Sequence, residues 1–149
     1  MNKPIAVACD HAALDLKAEV ISYLKTQGFE CVDYGTYTKD SCNYPDYAKK
    51  VCDAIKNGES EMGILICGTG IGMSMAANKC KGIRAALCSD TFSARFTRLH
   101  NNANVLCMGA RTLGAGLALD IVDVFVKTGF EGGRHQTRID MVMALENER

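Results

Sequence analysis

The sequence predicts an α/β fold: a three-layer α/β/α, Rossmann-like domain with a five-stranded parallel sheet, closed by a C-terminal helix. Three observations carry this expectation. Five short apolar runs recur along the chain, each succeeded by a stretch with helical spacing. Three of them, Ile5–Cys9, Met62–Cys67 and Val105–Met108, are apolar throughout rather than alternating, as strands covered on both faces are. The 149 residues suit one domain, 1–149, and a chain of this size buries roughly 68–70% of its unfolded surface without a disulfide or metal staple.

Ile5–Cys9 is the first apolar run. Ala12–Thr26 comes next, with Leu14, Val20, Ile21 and Leu24 at helical spacing and Gly28 as a left-handed stop. Glu30–Tyr34 reads as the second strand, and Pro45 stands where a helix begins its first turn. Met62–Cys67 is the third strand, Gly68–Ser74 a glycine-rich turn, and Ser74–Lys79 a short helix. Ile83–Cys88 is strand four, succeeded by a helix over Asp90–His100 capped by Asp90 or Ser89. Val105–Met108 is strand five, Leu113–Thr128 the longest helix and Gln136–Asn147 the last one.

Composition removes several function classes. Lys plus Arg equal Asp plus Glu, 17 against 17, whereas a nucleic-acid surface needs clustered excess cation. The eight cysteines include no C-x-x-C pair and are accompanied by three histidines. A metal site is therefore not expected, and a reducing, cytoplasmic setting is. The start Met1–Pro4 carries no signal-peptide pattern. The longest apolar stretch, Leu117–Val126, is interrupted by Asp120 and Asp123, so no membrane span is expected. In Leu113–Thr128 the polar residues Asp120, Asp123 and Lys127 form one narrow stripe. A helix covering one side of a sheet needs only part of its face buried, so the apolar surplus points to a subunit interface. Burial under the C-terminal tail is the alternative.

In an open parallel sheet, ligands sit beyond the C-terminal ends of the strands. The residues at those ends are Asp10-His11, Gly35, Cys67–Ser74, Ser89-Asp90 and Gly109-Ala-Arg111, with His100-Asn101-Asn102 after the fourth helix. Cys67-Gly-Thr-Gly-Ile-Gly-Met-Ser74 is the strongest signal. Gly68, Gly70 and Gly72 let the backbone approach a ligand, and amides at a helix start favour negative charge. A thiol beside that start is expected to be biased toward thiolate. A base next to an anion hole fits proton abstraction alpha to a carbonyl. The alternative is a tight turn beside a buried cysteine.

Other readings of the turn fail on position. A dinucleotide fingerprint belongs after the first strand and needs glycine where Met73 stands; a P-loop needs a lysine that is absent. A C-x5-R phosphatase loop would need Arg at 73, and a receiver domain an aspartate at 67. Asp10 is either a site carboxylate or a helix cap, and His100 competes for an acid/base role. Arg134 and Arg138 lie four apart on one helix face. With Arg111 and His11 they would suit a phosphate monoester.

With these residues assembled, the chain resembles the B-type ribose-5-phosphate isomerase family, which includes allose-6-phosphate and galactose-6-phosphate isomerases. The resemblance rests on Ala8-Cys-Asp-His11, Asp33-Tyr-Gly-Thr36, Asn43-Tyr-Pro-Asp46, Gly63–Ser74, Lys81-Gly-Ile-Arg-Ala85, His100-Asn101, Asn104-Val105, Gly109-Ala-Arg111 and Glu131-Gly-Gly-Arg-His135. It implies interconversion of an aldose phosphate and its ketose, as in the non-oxidative pentose phosphate pathway, without metal or cofactor. It implies a homodimer or a dimer of dimers with sites at the subunit interface, and a C-terminal tail from about residue 130 at that interface. Cys67 would move the proton between C1 and C2, Thr69 would assist transfer to the sugar oxygens, and the Gly68–Ser74 backbone would hold the enediolate. His100, with Asp10, would open the furanose ring. Asn101 and Tyr44 would orient hydroxyls, and His11, Arg111, Arg134 and Arg138 would hold phosphate. A non-catalytic phosphosugar-binding module and a nucleotide- or flavin-binding domain are the competing readings. The intact Cys67, Thr69 and His100 set argues against the first and the broken fingerprint against the second.

Overall fold

The computed structural model describes residues 2–148. Met1 and Arg149, which the expected domain 1–149 includes, lie outside the described residues. The apolar runs form strands β1 (Ile5–Cys9), β2 (Cys31–Asp33), β3 (Gly63–Cys67), β4 (Ala85–Leu87) and β5 (Val105–Gly109). Between and after them run helices α1 (Leu14–Thr26), α2 (Tyr44–Lys56), α3 (Ile71–Ala77), α4 (Thr91–Asn101), α5 (Ala115–Lys127) and α6 (Arg134–Ala144), and a 3₁₀ turn at Leu145–Glu148 ends the series.

All strand pairs are parallel, in the order β2-β1-β3-β5-β4. The chain leaves β1 on one side to make β2 and returns on the other to make β3, so β1 and β3 flank a switch point. β1, β3 and β5 are buried along their whole length. β2, which includes Asp33, and β4 are short edge strands with partly exposed residues.

Two cores result. One face of the sheet, with Ile5, Val7, Ile64, Ile66 and Leu106, packs against α1, α4 and α5 through Leu16, Leu24, Ala94, Ile121 and Phe125. The other face, with Ala6, Leu65, Cys67 and Cys107, packs against α2 and α3 through Val51, Cys52, Met73 and Ala77. Alanines at 6, 8 and 48 keep this second layer thin.

The apolar surplus of α5 has an internal explanation, which corrects the argument for an interface drawn from it. α5 touches both α1 and α4, and Ala118, Ile121, Val122, Phe125 and Val126 are all buried within the chain. A helix in the middle of a layer buries its flanks against neighbouring helices as well as its base against the sheet. Its polar stripe is tied down as well: Tyr23 Oη donates to Asp123 Oδ1 at 2.6 Å. Leu117 stays 42% exposed.

Lys17 shows how the loop before α2 is held. Its ammonium is buried and donates to Asp33 Oδ1 at 2.8 Å and to the Thr36 carbonyl at 2.6 Å. A buried cation needs such partners, and the contact fixes the start of the segment that ends at Tyr44.

Candidate active site

Register brings three chain segments together at the C-terminal edge of the sheet. Cys67 pairs with Gly109 across β3 and β5, and Cys9 pairs with Ile66 across β1 and β3. Beyond the ladder, the Asp10 amide donates to the Ile66 carbonyl at 3.1 Å, Ala110 to Cys67 at 2.8 Å and Arg111 to Gly68 at 2.9 Å. Asp10, Cys67-Gly68 and Gly109–Arg111 therefore stand side by side over the β1/β3 switch point.

Cys67 is 5% exposed. The Gly70 amide donates to its Sγ at 3.1 Å, a contact that is stronger when the sulfur carries charge. That amide reaches back because Gly70 is left-handed, φ +79°, as the N-cap of α3. A side chain at Gly70 would meet Leu87 Cδ1 at 2.6 Å and the Met108 backbone at 2.8 Å. Gly70→Ala is therefore expected to lower stability by about 2–4 kcal/mol in urea unfolding, from left-handed strain plus overpacking. Turnover should fall with it, since the amide beside Cys67 moves. Unchanged stability would show that the turn tolerates another geometry.

The helix after β3 starts at Ile71, earlier than the Ser74 expected from sequence, because Gly70 turns the chain at once. The segment Gly68–Ser74 is thus a tight turn over Gly68–Gly70 that runs straight into the first turn of α3. The Ile71 amide donates to Thr69 Oγ1 at 3.2 Å and the Ser74 amide to the Gly70 carbonyl at 3.0 Å. The Ser74 hydroxyl is bonded to the Ile71 carbonyl at 2.7 Å. The first-turn amides of Gly72 and Met73 are those that a helix start leaves without intrahelical acceptors.

The surrounding side chains pack closely on this turn. The Tyr44 ring lies where a Cβ at Gly72 would be, 2.7 Å away, and Arg111 Nη1 and Cδ approach the equivalent point of Gly68 to 3.4 Å. Gly109 lets the Thr69 backbone pass at 2.6 Å from its missing Cβ. The Asp10 carboxylate accepts from the Ala12 amide at 2.9 Å, while the cap of α1 is Ala13. The cap alternative for Asp10 is thus set aside. Sequence reasoning does not pick out Cys42, whose amide donates to His11 Nδ1 at 3.3 Å. That bond makes Nδ1 the acceptor and puts the ring proton on Nε2.

His100, Asn101, Arg134 and Arg138 are elsewhere. A helix that succeeds a parallel strand runs back along the sheet, so the end of α4 returns to the N-terminal edge. The loop after it leads into β5, and Asn104 accepts from Gly63, the first residue of β3. Cys67 is the last residue of β3, about 13 Å away at strand rise. Grouping His100 with the strand ends is corrected on this ground. Arg84 locks the α4 terminus, its guanidinium donating to the carbonyls of Asn101 and Asn102 at 2.8–3.1 Å.

Between this terminus and α6 opens a cleft of about 590 Å³, lined by Arg84, His100, Asn101, His135, Arg138 and Val142 among others. Arg134 is exposed at the first turn of α6. His100 and His135 stack with centroids 4.0 Å apart and planes 10° apart. Their Nε2 atoms lie 3.8 and 3.3 Å from Glu131 Oε2. The three ligand atoms fall within 4.8 Å of one another. An imidazole binds a metal in its own plane, and one ion cannot lie in two parallel planes that far apart. The trio is therefore a stacked pair sharing a carboxylate. Among the described residues, no helix is long and apolar enough to cross a membrane.

Known proteins share this outline. Residues 5–142 match the family model described as Ribose/Galactose Isomerase. Ribose-5-phosphate isomerase B of Escherichia coli K12 is 47% identical over 147 residues, covering 99% of each chain. The Clostridium thermocellum ribose-5-phosphate isomerase B structure superposes with a TM-score of 0.95 at 48% identity, covering 97% of this chain and 98% of that one. A Mycoplasma genitalium ribose-5-phosphate isomerase B structure with bound ribulose 5-phosphate gives a TM-score of 0.94 at 46% identity, covering 100% and 99%.

Proposed function

The chain belongs to the ribose/galactose isomerase family, and from that premise we propose that it interconverts D-ribose 5-phosphate and D-ribulose 5-phosphate with Cys67 as the base. It is an isomerase. The observation that carries the choice of base is the buried Cys67 sulfur at the switch point, with the Gly70 amide directed at it.

In this reading the Cys67 thiolate takes the C2 proton of open-chain ribose 5-phosphate. The C2–H electrons form a C1=C2 double bond and negative charge moves onto O1. Thr69 passes the proton between O2 and O1, and the thiol returns its proton to C1, leaving a C2 ketone. The charge on the enediolate is met by the first-turn amides of α3. Gly68, Gly70 and Gly72 keep that turn open to the sugar, and Ser74 pins the helix behind it. Tyr44 and Asn101 orient hydroxyls. His11, through Nε2–H, and Arg111 take the phosphate from one side, Arg134 and Arg138 from the other. His100, helped by Asp10, opens the furanose ring. No cofactor takes part in any of these steps.

The set is divided between opposite edges of one sheet, so the reading requires two copies of the chain. In a two-fold dimer the Cys67 edge of each copy meets the His100 edge of the other, giving two equivalent sites. Exposed apolar side chains border both edges: Ile71, Met75, Leu87 and Phe92 near the first, Met141, Val142 and Leu145 near the second. The tail from about residue 130 then forms part of the contact, and a dimer of such dimers is compatible with it. A reducing cytoplasm suits the eight free thiols.

The test is a comparison of kcat/KM. Ribose 5-phosphate is expected to exceed allose 6-phosphate by roughly ten- to two-hundredfold, as one extra carbon in a fitted pocket allows. Preference for a six-carbon phosphate would reassign the substrate within the family. Absence of both ketose formation and deuterium exchange from D₂O into either pentose phosphate would leave only a phosphosugar-binding module.

A further inference from the structure

We propose that Glu131 and His135 are positioning residues for His100, clamping its imidazole in the orientation that ring opening uses; this rests on the reading of His100 as the ring-opening group. His100 is in the last turn of α4, where side chains are ordinarily free to rotate. Here both sides of the ring are occupied. Phe96, one turn earlier, meets it edge-on at 5.0 Å and 75°, and His135 covers it face to face at 4.0 Å and 10°. Glu131 Oε2 stands 3.8 Å from its Nε2. The clamp is itself anchored. The Glu131 amide donates to the Leu99 carbonyl at 3.1 Å, tying the segment before α6 to the residue preceding His100. His135 is 7% exposed and holds its Nε2 3.3 Å from the same Glu131 oxygen.

The chemistry explains why such a clamp is useful. Opening a furanose needs a proton taken from the anomeric hydroxyl and one given to the ring oxygen, so His100 must pass through its imidazolium form. Glu131 supplies a carboxylate for that transient charge, as a carboxylate does for a catalytic histidine in a hydrolase triad. His135 is suited to remain the neutral member of the stack. Burial, then the neighbouring His100 and Arg134, push its pKa down, with Glu131 opposing. A neutral ring can lie against an imidazolium where a second cation could not.

The experiment separates ring opening from proton transfer. Ribulose 5-phosphate cannot close a furanose ring, because its C5 oxygen carries the phosphate. Wash-in of deuterium at its C1 in D₂O therefore reports enediolate formation alone, whereas isomerisation from ribose 5-phosphate also needs the ring opened. Glu131→Gln and His135→Ala are expected to slow isomerisation roughly ten- to hundredfold while wash-in stays within about twofold. His135→Phe, which restores a stacking face, should recover part of the loss. Glu131 is half-exposed, so Glu131→Gln gives a folded variant even where His135→Ala does not. Unchanged isomerisation in both variants, or equal loss of isomerisation and wash-in, overturns the proposal. His100→Ala distinguishes the underlying reading: equal loss of both reactions there removes His100 from ring opening. Selective loss there, with unaffected Glu131 and His135 variants, removes only the clamp.

Discussion

Cys67→Ala is expected to lower kcat by roughly a thousandfold or more while leaving the affinity for ribose 5-phosphate nearly unchanged. Loss of a positioned base in a proton transfer costs about a hundred- to ten-thousandfold. The upper part of that range applies because no other titratable group sits in the turn to replace it: Thr69, Ile71, Met73 and Ser74 have none. Affinity should survive because the phosphate contacts assigned to His11, Arg111, Arg134 and Arg138 are untouched. An interaction made only with the reacting carbon affects kcat and kcat/KM alike. Removing one sulfur from the packing against Met73 and Cys107 should cost about 1 kcal/mol, too little to unfold the chain. Turnover measured by ketose formation, with calorimetric titration of the sugar phosphate and a thermal melt, checks all three statements. Turnover within tenfold of the parent would remove Cys67 as the base. Loss of binding in parallel with turnover would make it a binding residue.

How far the sequence carries such an assignment depends on whether a feature is local. The β3–turn–α3 unit is legible because apolar run, glycines and helix start are contiguous, and the strand ends at Cys67 as expected. The edge position of β4 is not: its apolar residues 85–87 resemble those of the inner strands, and only pairing with β5 alone sets it outside. The surplus on α5 misleads for a related reason. A count of apolar residues does not say whether the neighbour is a helix of the same chain or another chain, and here α1 and α4 take up the surplus. His100 and Asn101 could have been set at the far edge from chain direction alone, since a crossover helix ends where the next strand begins. The Glu131–His135 pair carries a faint signal in its i,i+4 spacing, but its stacking on a residue of α4 is a long-range contact with no trace in spacing.

That division of the site makes activity depend on two copies of the chain. Cys67→Ala and His100→Ala, each about a hundredfold or more below the parent as homodimers, should restore activity to one another when co-expressed. A two-fold dimer that joins the Cys67 edge of one copy to the His100 edge of the other has two sites. In a mixed dimer one site receives both substitutions and the other receives neither. Random assortment makes half the dimers mixed, and each of these has one intact site of two, so about a quarter of the parent's specific activity should return. The recovery should fall as either subunit is put in excess, tracking the fraction of mixed dimers, and should vanish when the two variants are purified separately and mixed without subunit exchange. Differential tagging and isolation of the mixed species should raise the value to about half. Such complementation cannot arise if each chain builds its own site, because every chain in the mixture then carries a disabling substitution. Mixed dimers isolated in good yield with only the residual activity of the parents would therefore refute the shared site. Within one chain, the distance from Cys67 to the end of α4 would then have to be closed by a movement of α4 and α6 across the sheet.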